Sequence, residues 1–156
     1  MKKLVVYYSF SGNTRAIAKR IARALKADLA EIRTMKTYPD DYDVLLSLGK
    51  REVESGYMPQ IVPLSVDPAK YETILIGTPV WWGTYAPALR KFFMSTSWKG
   101  KTIHPFATND KSLGHIASDL KKALRGATVK PVFSVKYDEK TLLTPAEDFK
   151  AWLSQI

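Results

Sequence analysis

Leu4-Val5-Val6-Tyr7-Tyr8 is an unbroken apolar run of strand length, the pattern of a strand buried on both faces. The period then changes. Ile17, Ile21 and Leu25 recur four residues apart, which predicts an amphipathic helix over residues 13–26. The same switch repeats along the chain. It predicts strands over residues 3–8, 28–33, 73–77, 102–107 and 128–135, and helices over residues 13–26, 41–54, from Ala86-Pro87 onward, 112–125 and 145–154. Pro87 suits a first helical turn, and Leu89, Phe92 and Phe93 follow at helical spacing. Ile116, Leu120 and Leu124 give the fourth helix its apolar face, and Gly126 closes it. Phe149, Trp152, Leu153 and Ile156 line the last helix. Between the second and third strands, Tyr38-Pro39-Asp40 reads as a turn and helix cap. Residues 56–68, with prolines at 59, 63 and 68, read as a crossing loop.

Five strands alternating with helices imply one α/β domain over residues 1–156, with a parallel, doubly wound sheet covered by helices on both faces. Ligands in such sheets bind outside the carboxyl ends of the strands, where the winding reverses. The loops at residues 9–14, 78–84 and 108–114 are therefore expected to lie together. In the first, Ser9-Phe10-Ser11-Gly12-Asn13-Thr14 leads from a strand into a helix. A helix start offers unpaired N–H groups and the positive end of its dipole. Ser9, Ser11, Asn13 and Thr14 add neutral donors, and Gly12 lets the backbone come close. The loop has no lysine, so it is not a Walker-type triphosphate loop, and it lacks the spaced glycines of a dinucleotide fingerprint. A dianionic monophosphate fits it; the other reading is an ordinary capped turn.

The second loop carries adjacent indoles, in Thr78-Pro79-Val80-Trp81-Trp82-Gly83. An indole kept at a crevice suits a flat aromatic ligand. Trp82, beside Gly83, is expected at the ligand and Trp81 turned toward the protein. The third loop, Thr108-Asn109-Asp110-Lys111-Ser112-Leu113-Gly114, is rich in small polar groups able to bond a heteroaromatic edge, and also able simply to cap a helix.

Composition narrows the chemistry. No apolar run approaches the ~20 residues of a membrane-spanning helix, and the N-terminus lacks the pattern of a secretory signal, so a cytoplasmic location is expected. With no cysteine, thiol redox chemistry and thiolate metal sites are excluded, and a redox role requires a bound cofactor. The net charge of +9 favours acidic partners. The basic residues are scattered rather than gathered in a tract, so nucleic acid is not expected as a partner. His104, beside Pro105 in the fourth strand, reads as structural; His115 begins the fourth helix and is a candidate for tuning a ligand there.

Taken together, these residues resemble the short-chain flavodoxins over the full length. Ser9-Phe10-Ser11-Gly12-Asn13-Thr14 is similar to the flavodoxin phosphate loop, Ser/Thr-x-Thr-Gly-Asn-Thr. Pro79-Val80-Trp81-Trp82-Gly83 followed by Pro87 resembles the Pro-x-Trp-Trp-Gly loop of a flavodoxin subfamily, and Tyr38-Pro39-Asp40-Asp41-Tyr42 and residues 100–106 resemble other segments of that subfamily. The resemblance implies a flavodoxin-like five-stranded parallel sheet of order 2-1-3-4-5 and non-covalent FMN. The phosphate would sit at Ser9–Thr14, and the ring between the second and third loops. The third loop departs from the subfamily's Phe-x-Thr-Ser-Gly-Gly-Ser-Gly, because Asn109-Asp110-Lys111 stands where small residues are usual.

The expected function is electron transfer by bound FMN between a reductase and an acceptor protein with an acidic docking surface, with no catalytic side chain demanded of the protein. Two alternatives stay open: an NAD(P)H-dependent FMN quinone reductase, and a flavin-free binding module of the same fold. Flavodoxins are typically acidic and this chain is basic, which implies a less negative reduction potential.

Overall fold

The computed structural model describes residues 2–39 and 41–156, without the side chain of Tyr42. The expected cap at Asp40 lies outside the described residues. An apolar run sets the first strand and an apolar stripe the first helix. Strand β1 (Leu4–Tyr7) is buried along its whole length. It pairs in parallel with β2 (Asp28–Glu31) on one side and β3 (Thr73–Trp81) on the other. β3 in turn pairs with β5 (Thr102–Asn109), and β5 with β7 (Phe133–Asp138), all parallel. This core runs β2-β1-β3-β5-β7, the five-stranded order that the flavodoxin resemblance implies.

Alternation along β1 divides the interior into two layers. Leu4 and Val6 face a cluster with Leu89, Phe92, Ile116 and Leu120, drawn from helices α3 (Ala88–Met94) and α4 (Ile116–Ala123), and with Trp98 from the connection after α3. Val5 and Tyr7 face the other cluster, with Ile17, Ile21, Phe106, Phe149 and Trp152. Those side chains come from α1 (Asn13–Leu25), α5 (Ala146–Leu153) and β5. Helix α2 (Tyr42–Ser55) lies in the long connection between β2 and β3, and the Asp41 side chain caps it by accepting from the Val44 N–H at 3.0 Å.

The sheet differs from the sequence expectation in three places. The fifth strand is divided into β6 (Thr128–Val129) and β7, and the register on β5 slips by one residue between the Thr102↔Thr128 and Phe106↔Phe133 pairs. Pro131 lies in the gap; it has no N–H to give a ladder, and one extra residue is taken up there as a bulge. Second, two short antiparallel strands extend the sheet: β4 (Thr84–Tyr85) folds back on β3, and β8 (Thr141–Leu142) on β7. The stretch 78–84, expected as a loop, is therefore mostly a hairpin. Third, α4 starts at Ile116 rather than near Ser112, because Gly114 takes the left-handed conformation, φ 58°. No helix among the described residues is long and apolar enough to cross a membrane.

Gly77 stands opposite Phe106 in the β3–β5 ladder, and a Cβ added to it would lie 2.3 Å from the phenyl ring. Gly77→Ala should therefore destabilise the fold by about 1–3 kcal/mol through overpacking. Urea unfolding checks this, and an unchanged midpoint would show that the ring moves aside without cost.

Candidate functional site

The carboxyl ends of β1, β3 and β5 deliver three loops to one edge. In the first, Ser9 Oγ accepts from the N–H groups of Gly12 and Arg15, both at 3.1 Å. This folds the chain tightly before α1. Gly12 forms the N-cap at φ 99° and has no side chain to cap with; Ser9 Oγ, through Arg15, and Ser11 Oγ, which accepts from the Asn13 N–H at 3.4 Å, serve the first turn instead. Among the described residues, the backbone N–H groups of Ser11 and Thr14 have no hydrogen-bond partner. The Asn13 amide donates to the Glu139 carbonyl at 2.8 Å. The buried Thr14 hydroxyl lies 2.7 Å from that of Thr108, also buried. That bond ties the first loop to the end of β5.

The second loop is the β3–β4 hairpin. Thr78 Oγ1 accepts from the Ala86 N–H at 3.0 Å and donates to the Pro79 carbonyl. Pro79 pairs with Thr108 and Val80 with Tyr85. Trp82 and Gly83 form the turn, both at positive φ (51° and 78°), as a type I′ hairpin requires. That conformation is uncommon for a bulky residue. Trp81 is buried against Phe10 and Tyr38, with ring centroids 5.8 Å and 5.2 Å away. Trp82 is 46% exposed; its indole N–H donates to the Leu46 carbonyl of α2 at 3.1 Å, and Lys50 Nζ lies 5.9 Å from its ring. Helix α2 reaches the indoles at Gly49, where a Cβ would lie 2.4 Å from Trp81 Nε1.

In the third loop, Asn109 donates to the Ala107 carbonyl and to Ser134 Oγ. Asp110, Lys111 and Ser112 are exposed, and Leu113 is partly buried against the core. Gly114 packs on Gly83 so closely that a Cβ would lie 2.3 Å from the Gly83 oxygen, and that oxygen accepts from the His115 N–H at 2.8 Å. The second and third loops thus touch through their glycines. Two buried side-chain polar atoms have no partner among the described residues: Trp81 Nε1 and Asn109 Oδ1. One belongs to each of these loops.

The turn between β7 and β8 adds groups that the sequence reading did not include. Its Glu139 accepts from Asn13, and Lys140 Nζ donates to the Ser11 carbonyl. The loop after the last parallel strand also opens on the ligand edge. Placing that strand's end at residue 135, rather than Asp138, hid it.

Beside the indoles, a cavity of about 940 Å³ is lined by Tyr38, Leu48, Arg51, Glu52 and Tyr57 among others. Burial pushes the Glu52 carboxyl above its usual range, although the Tyr38 hydroxyl donates to it at 2.7 Å and Arg90 attracts it. Burial, and then the Glu52 carboxylate, push the Tyr38 phenol up as well. The Arg90 guanidinium donates to the Glu52 and Val53 carbonyls near the C-terminus of α2, where positive charge complements the dipole. On the far side of Gly83, His115 Nδ1 lies 2.6 Å from Asp119 Oδ2, which also accepts from Thr84. Burial opposes ionisation of Asp119, but the bonds from Thr84 and His115 hold its carboxyl below the usual range.

A model of the flavodoxin family matches residues 2–156. A Bacteroides eggerthii protein classed as a flavoprotein is 29% identical, covers 99% of this chain and 97% of its own, and superposes with a TM-score of 0.83. The flavoprotein of Lactobacillus acidophilus, solved in complex with FMN, is 26% identical with a TM-score of 0.75, over 85% of this chain and 92% of that one. Oxidised flavodoxin 2 from Bacillus cereus shares the fold at 19% identity and a TM-score of 0.59, over 99% and 94%. No curated protein matches the chain at a significant level.

The raised Glu52 carboxyl has a consequence for stability. The folded protein holds this proton more tightly than the unfolded chain does. Its contribution is therefore fully present in acid and is lost as pH rises from the ordinary carboxylate range through the folded-state value. Glu52→Gln, which cannot ionise, should gain stability relative to the native chain as pH rises from 4 to 7, about those values bracketing the usual carboxylate range. Urea midpoints of both proteins across that interval test it; a constant difference would mean that Glu52 titrates normally.

Proposed function

The chain belongs to the flavodoxin family, and on that premise we propose that it binds FMN non-covalently at the three-loop edge and passes electrons between a reductase and an acceptor. The observation that carries this reading is the pair of orphaned buried polar atoms, Trp81 Nε1 and Asn109 Oδ1, on the two loops that flank the expected ring position. Buried polar groups are rarely left unpaired, and a flavin's polar edge offers both donors and acceptors. The FMN complex of the Lactobacillus acidophilus relative supports the same cofactor.

FMN supplies the one- and two-electron chemistry. The protein's part is binding and electrostatics. The free N–H groups of Ser11 and Thr14, with the positive end of α1, would hold the phosphate. The Ser11 and Asn13 side chains border that position, while Ser9 and Gly12 shape the turn. Because its hydroxyl is engaged with Thr108, Thr14 would serve through its backbone. Trp82, held at positive φ with about half its surface exposed, is the residue for stacking on the ring. Thr78, Pro79, Val80 and Thr108 fix the loop ends. Asp110, Ser112, Leu113 and Gly114 complete the third wall.

A second reading, reduction of a small quinone using NAD(P)H, draws on His115. Asp119 orients its imidazole next to Gly83, and reduction of a quinone consumes protons that such a group can deliver. Rapid quinone-dependent oxidation of NADH by the FMN-loaded protein would favour this reading over a carrier.

Purified protein mixed with FMN and freed of excess should retain a flavin absorption spectrum. Trp82→Ala should weaken FMN by roughly 1–3 kcal/mol, the range for a lost aromatic stacking platform. Native affinity in that variant would remove Trp82 from the ring site. A net charge of +9 and Lys111 in the third loop oppose the lowering of potential that acidic surroundings give. The two-electron midpoint should therefore be less negative than that of an acidic flavodoxin, by redox titration. Reduction of an acidic partner should slow as salt is added, and a salt-independent rate would count against docking by charge.

A further inference from the structure

The first loop carries no lysine, yet a lysine stands over it. The β7–β8 hairpin turns at Glu139 and Lys140, with Glu139 at φ 53°. Two contacts hold this turn against the phosphate loop: Asn13 donates to the Glu139 carbonyl at 2.8 Å, and Lys140 Nζ donates to the Ser11 carbonyl. The ammonium also lies 3.8 Å from the point a Cβ on Gly12 would occupy. Thr144 Oγ1 accepts from the Lys136 N–H at 2.7 Å, and the Leu143 N–H donates to the Lys136 carbonyl, which fixes the hairpin's base.

The hairpin carries the exposed carboxylates of Asp138 and Glu139 beside Lys140, but neither lies within ion-pair distance of its ammonium. Arg15, in the first turn of α1, is paired with Glu31 at 2.5 Å. No carboxylate pairs with Lys140 among the described residues. Its carbonyl partner uses one of three ammonium donors, and a carbonyl does not neutralise the charge. An ammonium with no ion-pair partner therefore sits beside the start of α1, where the N–H groups of Ser11 and Thr14 are free among the described residues and an anion is already favoured.

We propose that Lys140 reads the phosphate: its ammonium supplies the counter-charge for a phosphate monoester at the Ser11–Thr14 turn, and so selects phosphorylated over unphosphorylated flavin. The inference rests on the FMN reading above, but it concerns charge from the last hairpin rather than the loop's own donors. The side chain is exposed, so the effect is moderate and is screened by salt.

The test titrates the native protein, Lys140→Gln and Lys140→Arg with FMN and with riboflavin, at low and high salt, by flavin fluorescence. Lys140→Gln should weaken FMN about three- to tenfold at low salt, leave riboflavin within twofold by the same reckoning, and flatten the salt dependence. Lys140→Arg should restore most of the difference. Equal losses for both ligands would show that Lys140 only braces the loop through Ser11, and unchanged FMN affinity would show that it does nothing; either overturns the proposal. A parallel thermal-shift series with inorganic phosphate separates the two readings. If the native protein binds neither flavin, the FMN reading fails. A phosphate-induced stabilisation that Lys140→Gln abolishes would then still sustain the Lys140 site, and its absence would overturn that site too.

Discussion

Parallel pairing of β1, β3 and β5 is the constraint on which the site depends. In a parallel ladder every strand ends on the same edge, so the chain after Tyr7, after Trp81 and after Asn109 must emerge together. The ladder is held in register by Tyr7↔Gly77 and Gly77↔Phe106. Gly77 is the point where the central strands can tolerate the Phe106 ring, which belongs to the layer shared with Ile17 and Trp152. Core packing and loop placement are consequently one problem: a shift of β5 against β3 would move the Thr108 hydroxyl away from Thr14 as surely as it would disturb the core.

The loops are then tied to one another by short contacts that leave little play. Thr14 meets Thr108 inside the protein, Gly83 meets Gly114 backbone to backbone, and Asn13 and Ser11 meet the terminal hairpin. Small or polar residues stand at each crossing, because a side chain at Gly114 would displace the Gly83 carbonyl. Such cross-ties pre-organise the edge, and pre-organisation lowers the ordering cost of any ligand taken up there. Helix α2 is attached differently. It buries Gly49 and Glu52 but leaves Val44 and Leu46 exposed. Its hold on the indoles is the bond from Trp82 to the Leu46 carbonyl, the Lys50 ammonium over the Trp82 ring and the close approach at Gly49. An element with little buried apolar surface opens at lower free energy than the sheet beneath it.

How far the sequence carried this picture depended on the range of each signal. The apolar run of β1 and the four-residue stripe of α1 are local and continuous, and both elements lie within a residue or two of expectation. The parallel, doubly wound sheet followed from alternation and its strand order from the flavodoxin resemblance, and the fold agrees with both. Two-residue strands such as β4, β6 and β8 carry no period to read. The Trp82–Gly83 turn was obscured because a tryptophan at positive φ contradicts local preference. The bulge at Pro131 depends on pairing with β5, and the Thr14–Thr108 bond joins residues far apart in the chain. No window of sequence contains either.

The bulge has a further physical consequence. A one-residue slip exchanges the faces of a strand, so the extra residue near Pro131 sets which side chains of β7 point inward. With it, Val135 and Tyr137 are buried beside Phe149, while Lys136 and Asp138 are exposed. The same register brings Asn109 opposite Lys136 and lets the strand run on to Asp138 before it turns. Without the slip, the hairpin would present the opposite faces and its tip would leave the first loop. The first loop therefore owes its shape to β1 and α1, but its neighbouring charge to a proline-associated irregularity more than a hundred residues later. Geometry and electrostatics at this edge come from opposite ends of the chain, brought together by the sheet and tied by the Asn13–Glu139 and Lys140–Ser11 bonds.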